Sequence, residues 1–80
     1  MPVVFRSGSF RFFFYSDEGT PRESPHIHVR YAGREAKLWL RCGLPEAYNH
    51  GFSARELRGI RELIEAHREH IETAWNEFFN

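Results

Sequence analysis

Apolar and polar residues alternate at period two in two stretches joined by Ala32-Gly33. In residues 24–31, Ile27, Val29 and Tyr31 fall on one side of an extended chain, and His26, His28 and Arg30 on the other. In residues 34–41, Ala36, Leu38 and Leu40 oppose Glu35, Lys37, Trp39 and Arg41. Such alternation predicts strands with one buried face. A two-residue link predicts a hairpin that sets Arg30 opposite Glu35, His28 opposite Lys37 and His26 opposite Trp39. An earlier pair of strands is predicted over residues 3–6 and 9–15, with a tight turn at Ser7-Gly8. Val3, Phe5, Phe10, Phe12 and Phe14 share one of its faces, and Val4, Arg6, Arg11, Phe13 and Tyr15 the other. Residues 16–25 form a polar loop carrying Gly19, Pro21 and Pro25.

From residue 53 the period lengthens. Ser53-Ala54-Arg55-Glu56 is a capping box, with Phe52 and Leu57 placed as a hydrophobic staple. Leu57, Ile60, Ile64, His67, Ile71, Ala74 and Phe78 recur at steps of three and four, one helical stripe. The segment reads as one helix, or as two with a break near Thr73. Residues 42–52, with Gly43, Gly51 and Pro45, read as a connection. The expected fold is α+β: a four-stranded, mostly antiparallel sheet of two β-hairpins with a C-terminal helix packed on one face. It forms a single domain over residues 1–80, with the sheet in 1–41, the connection in 42–52 and the helical segment in 53–80.

Composition narrows this reading. With 41% hydrophobic and 16% aromatic residues, the 80-residue chain is a folded domain. A domain this small buries only about 60% of its unfolded surface, so its core is thin and a partner would stabilise it. Eleven basic residues cancel eleven acidic ones, which excludes nucleic-acid binding by global charge and leaves only a local patch. Cys42 is a lone cysteine, read as inert and compatible with a reducing compartment. The N-terminus has no signal-peptide layout, and no apolar run approaches the roughly 20 residues of a membrane helix. A soluble cytoplasmic protein without a membrane partner is expected. There are no internal repeats, phosphate-cradling glycine loops or nucleophile elbows.

The chemistry gathers on the side of the sheet that the helix is not expected to cover. Arg6, Arg11, Phe13, Tyr15, His26, His28, Arg30, Glu35, Lys37, Trp39 and Arg41 fall there, five cations against one carboxylate. Arg11, Phe13, Tyr15, His26, His28, Arg30, Lys37 and Trp39 are the candidate binding residues. Cations interleaved with rings suit RNA or single-stranded nucleic acid, where bases stack and phosphates pair. They suit an acidic protein or a second copy of the chain equally, with Trp39 as anchor. The plain alternative is an ordinary solvated sheet face.

His26 and His28 admit three readings. They can serve as general acid and base of a metal-independent ribonuclease, since imidazole titrates near neutrality. They can bind a metal, but two ligands fall short of the three or four a stable site needs, and no spacing specifies Glu23 or His50 as more. They can also be structural. No metal and no cofactor is expected. His67 and His70 stand at i, i+3, which is not the His-Glu-x-x-His metalloprotease pattern. His67 lies on the apolar stripe and reads as a satisfied core histidine.

Several segments together resemble the small bacterial family called domain of unknown function 4160. They are Pro2-Val3-Val4-Phe5-Arg6, Phe10-Arg11-Phe12-Phe13-Phe14-Tyr15, Pro25-His26-Ile27-His28-Val29 and Glu35-Ala36-Lys37-Leu38-Trp39-Leu40, then Gly51-Phe52-Ser53-Ala54-Arg55-Glu56-Leu57 and Ala74-Trp75-Asn76-Glu77-Phe78-Phe79. The chain departs from the family pattern at Glu23-Ser24-Pro25, where the family often has a Pro-Pro pair, so Glu23 receives no role from it. The resemblance implies a component of a two-gene, toxin–antitoxin-like pair, working through a cognate small protein encoded nearby. It carries over no catalytic residue. The expectation is therefore a binding module for a cognate protein or nucleic acid, with the ribonuclease as the alternative.

Overall fold

Strands form where the period-two pattern runs, and one forms where it does not. The computed structural model describes residues 2–18 and 23–79, leaving aside the Glu18 side chain. Its strands are β1 (Val3–Ser7), β2 (Phe10–Phe13), β3 (His26–Tyr31), β4 (Arg34–Trp39) and β5 (Glu46–His50). They pair antiparallel in chain order, β1-β2-β3-β4-β5. A short 3₁₀ turn at Ser16–Glu18 follows β2, and positions 19–22 of the expected polar loop lie outside the described residues.

The sheet thus has five strands among the described residues, not four, and part of the expected connection is β5. Glu35 faces His50, Ala36 faces Asn49, Lys37 faces Tyr48, and Leu38 faces Glu46. The ladder also reaches Pro45, whose carbonyl accepts from the Trp39 amide at 2.9 Å. β5 is an edge strand with no β-branched residue and no fully buried position. Nothing forces an apolar alternation on it, and Pro45 sits just outside it, where a missing donor costs no ladder bond.

The β3–β4 hairpin has the expected register, with Arg30 opposite Glu35, His28 opposite Lys37 and His26 opposite Trp39. Ala32 and Gly33 both take positive φ, 50° and 79°, the geometry of a type I′ turn whose twist matches the strands. The β1–β2 pair contains a register shift between Val3 and Phe5. One inserted residue reverses the side-chain alternation. Val3 therefore lies opposite Phe13 and is exposed, whereas Val4 joins Phe5 against the core.

The helical segment is α1 (Ala54–Ala66) followed by α2 (Arg68–Phe78). The capping box is present: the Glu56 amide donates to Ser53 Oγ, and Glu56 Oε1 accepts from the Ser53 amide. The break falls at His67, not near Thr73. The His67 amide is shared between the Leu63 and Ile64 carbonyls. The His67 ring donates from Nδ1 to the same Leu63 carbonyl at 2.9 Å and stacks on Phe5 at 4.1 Å. A side chain that competes for a ladder carbonyl kinks a helix, and the Phe5 stack holds this one in place.

Leu57, Ile60 and Ile64 of α1 and Ile71 and Trp75 of α2 form one buried cluster with Phe12, Phe14, Ile27, Val29, Ala36, Leu38, Leu44 and Phe52. Phe5 stacks on Phe12, and Phe14 meets Trp75 edge-on, so rings from β1, β2 and α2 fill the end of this core. Among the described residues, no helix is long and apolar enough to cross a membrane.

Candidate binding face

Cross-strand register sorts the opposite face into three rows. The first is His26 and Trp39. The second is Val3, Phe13, His28, Lys37 and Tyr48, one residue from each strand. The third crosses all five strands as Arg6, Arg11, Arg30, Glu35 and His50. Residues directly opposite each other on one face have Cβ atoms about 5 Å apart. Each row is therefore a line of neighbouring side chains.

Glu35 is the hub. Its Oε1 accepts from Arg30 at 2.6 Å and from the Tyr15 hydroxyl at 2.9 Å, and its Oε2 accepts from the Tyr48 hydroxyl at 2.5 Å. Partial burial pushes the Glu35 carboxyl up, but hydrogen bonds from Tyr48, Arg30 and Tyr15 outweigh it and hold the group below the usual carboxylate range. The same pairing raises the Arg30 guanidinium above its ordinary value. Arg30 also donates to the Tyr15 hydroxyl at 3.1 Å. Each tyrosine thus accepts from one neighbour and donates to the carboxylate.

The two imidazoles are oriented through Nδ1. A carbonyl can only accept, so His26 donates from Nδ1 to the Ser24 carbonyl at 2.9 Å. Tyr48 gives its proton to Glu35, so at 3.1 Å it accepts from His28 Nδ1. Both rings therefore use Nδ1 as a donor.

Phe13, His26 and His28 share the expected face, but they do not stand open on it. Phe13 and His26 are 0% exposed and His28 is 1% exposed. Larger rings cover them. Phe13 stacks on His28 at 5.5 Å, and Tyr15 meets His28 edge-on at 4.6 Å. Trp39 lies 5.5 Å from His26, and Trp75 of α2 reaches it at 4.8 Å. On a sheet the taller side chains roof their smaller neighbours, and period two alone reports side, not depth.

The remaining candidates stay accessible. Arg11, Tyr15, Arg30, Lys37 and Trp39 are half-buried, and Arg6, Arg41 and His50 are exposed. Lys37 is tied to Glu23 at 2.8 Å and lies 4.6 Å from the Trp39 ring centre. Arg41 lies over the same ring at 5.1 Å. With Arg30 on Glu35 and Lys37 on Glu23, the cations of this face without an ion pair among the described residues are Arg6, Arg11 and Arg41.

No group of three or more metal-ligating side chains occurs among the described residues. Glu23 is engaged by Lys37, and His50 stacks on Tyr48 at 4.7 Å, so neither extends the His26–His28 pair into a ligand set. His67 is a satisfied helix-break residue, while His70 donates from Nε2 to the Val4 carbonyl. Cys42 is exposed.

Two residues of the site escaped the sequence reading. Glu23 had no assigned role and pairs with Lys37. Tyr48 lies in the unforeseen β5, and no hydropathy signal points to it. The usable clue was its two-residue spacing from His50, which puts both on one side of an extended segment, whereas the register shift between Lys37 and Leu38 turns Glu46 to the other side, toward Arg61 of α1.

A family model described as Domain of unknown function (DUF4160) matches residues 9–76, from β2 through most of α2. No curated protein and no solved structure matches the chain. The match covers most of the 80 residues and agrees with the resemblance carried by the aromatic strand, the Pro-His-Ile-His-Val strand and the capped helix. The chain belongs to the domain of unknown function 4160 family.

Proposed function

We propose that the chain is a binding module, the small cytoplasmic component of a toxin–antitoxin-like pair, which takes its cognate protein or a nucleic acid on the Trp39 side of the sheet. The observation that carries this reading is Trp39 itself, a half-buried indole with Lys37 Nζ 4.6 Å and the Arg41 guanidinium 5.1 Å from its ring. Tryptophan and arginine supply a disproportionate share of interface energy. A cation over an aromatic ring is worth about 0.5–1 kcal/mol when exposed and about 2 kcal/mol when desolvated. A partner that covers the cluster therefore strengthens it. The apolar stripes of α1 and α2 are already occupied in the core cluster, which leaves this side of the sheet as the available one. The gene-pair setting rests on the family resemblance.

The ribonuclease reading has weaker support. A phosphodiester would have to displace Tyr15, Tyr48 or Trp39 to reach either buried imidazole. The test is co-expression of the tagged chain with the protein encoded by the adjacent gene. Trp39→Ala with Arg41→Ala should weaken the complex by about 2 kcal/mol, roughly thirty-fold in Kd, while circular dichroism stays that of the wild type. An unchanged affinity in a folded double variant rejects this surface.

A further inference from the structure

The row Arg6, Arg11, Arg30, Glu35, His50 sets three arginines side by side on β1, β2 and β3. Like charges directly opposite across strands oppose sheet formation. Arg30 is compensated by Glu35, but Arg6 and Arg11 have no ion pair among the described residues. Strands lie about 4.8 Å apart, so the three positions fall within about 10 Å and the whole row spans about 19 Å. At its far end stands the exposed His50 ring, stacked on Tyr48 at 4.7 Å and 21°. The row is separate from the Trp39 cluster, because Glu35 and Trp39 are four residues apart on β4, about 13 Å. Either surface can therefore fail alone.

We infer that this row is a site for single-stranded RNA, with phosphates on Arg6 and Arg11 and a base stacked at His50. Guanidinium groups offer a planar fork that pairs phosphate oxygens bidentately and also stacks on rings. The cations of the row are all arginine, and the lysine of the next row is neutralised by Glu23. An acidic polypeptide would use the charge but leave the His50–Tyr48 stack idle. A single strand uses both, because its bases splay onto aromatic platforms. The neutral chain adds no long-range attraction, so binding is local and depends steeply on salt.

The experiment is fluorescence anisotropy of a labelled ten-nucleotide uridine RNA, titrated with the full chain between about 50 and 200 mM salt. Arg6→Gln with Arg11→Gln should weaken binding at least tenfold at the lower salt. It should also reduce the slope of log K against log salt by about 1.4, two contacts at about 0.7 each. His50→Ala should weaken binding about fivefold with the slope unchanged. Should the double variant not fold, Arg6→Gln alone, at an exposed position, should reduce the slope by about 0.7. The inference is overturned if the wild type does not bind this RNA or if the slope survives loss of the arginines. It is also overturned if polyglutamate competes as well as RNA through the same residues. In each case the complex with the neighbouring gene product is measured separately, so a failed RNA site is told apart from a failed binding module.

Discussion

The Tyr48 hydroxyl stands 2.5 Å from Glu35 Oε2 and 3.1 Å from His28 Nδ1, so one side chain of the edge strand β5 ties together residues of β4 and β3. Tyr48 is directly opposite Lys37, not Glu35, and reaches the carboxylate diagonally across the pair. Diagonal neighbours on a sheet remain within reach of long aromatic side chains. The contact orders an edge strand that carries little apolar burial of its own, and it engages His28 Nδ1 as a donor.

Tyr48→Phe keeps the ring and removes this bridge. A polar group that loses its partner away from bulk water costs about 1–3 kcal/mol. Because Tyr48 is half-buried, we expect the lower end, about 1 kcal/mol. The urea midpoint reads it, and an unchanged midpoint would show that water replaces the hydroxyl.

Acid should expose the Glu35 network. The folded carboxyl is held below its unfolded value, which is about 4.3 for glutamate. Its contribution is therefore complete above that value and is lost as pH falls through it toward the folded one. Glu56 acts in the same direction, held down by the Ser53 amide and Arg34. Stability should decline below about pH 5, and Glu35→Gln should be less stable at neutral pH with a shallower acid limb. Acid limbs that run parallel in wild type and variant would remove Glu35 from this account.

The entry to α1 rests on backbone geometry as well as on the cap. Gly51 has φ +110°, and a Cβ there would lie 2.7 Å from Arg34 Cγ. Arg34 cannot easily retreat, since it pairs with both Glu56 oxygens at 2.8 Å and lies over Tyr31 and Phe52. Gly51→Ala should therefore cost more than about 1 kcal/mol through strain. Ser53→Ala should cost about 1 kcal/mol through the lost cap. Thermal melts of both check this, and a Gly51→Ala variant as stable as wild type would mean that Arg34 can swing aside.

Folding should not need metal. The His26–His28 pair is too short a ligand set for a structural ion, and both Nδ1 atoms are engaged. Excess chelator should leave the melting temperature unchanged. Elemental analysis that found one tightly held ion per chain, with unfolding on its removal, would reverse this.

Much of the fold was legible because the signals were local. Period two marked β3 and β4, and Ala32-Gly33 set their register to the residue. Ser53 and Glu56 marked the start of α1, since a capping box is written in four consecutive positions. The candidate face was legible too: alternation assigned Phe13, His26 and His28 to the side that carries Arg30, Lys37 and Trp39.

The tertiary structure decided the rest. β5 exists because β4 offers an open edge, and its own residues carry no strand pattern. The slip between Val3 and Phe5 exchanges the sides of Val3 and Val4, a choice made by pairing with β2. His67 breaks the helix because Phe5, remote in sequence, receives its ring. His26 and His28 are buried because Tyr15, Trp39 and Trp75 come over them. The sequence by itself determined which side of the sheet the side chains of β2, β3 and β4 take, since there it follows from the chain's own period. Depth, ion pairing and the separation of a satisfied Glu35 network from Arg6 and Arg11, which have no ion pair among the described residues, depend on residues brought together only by the packed sheet and helices.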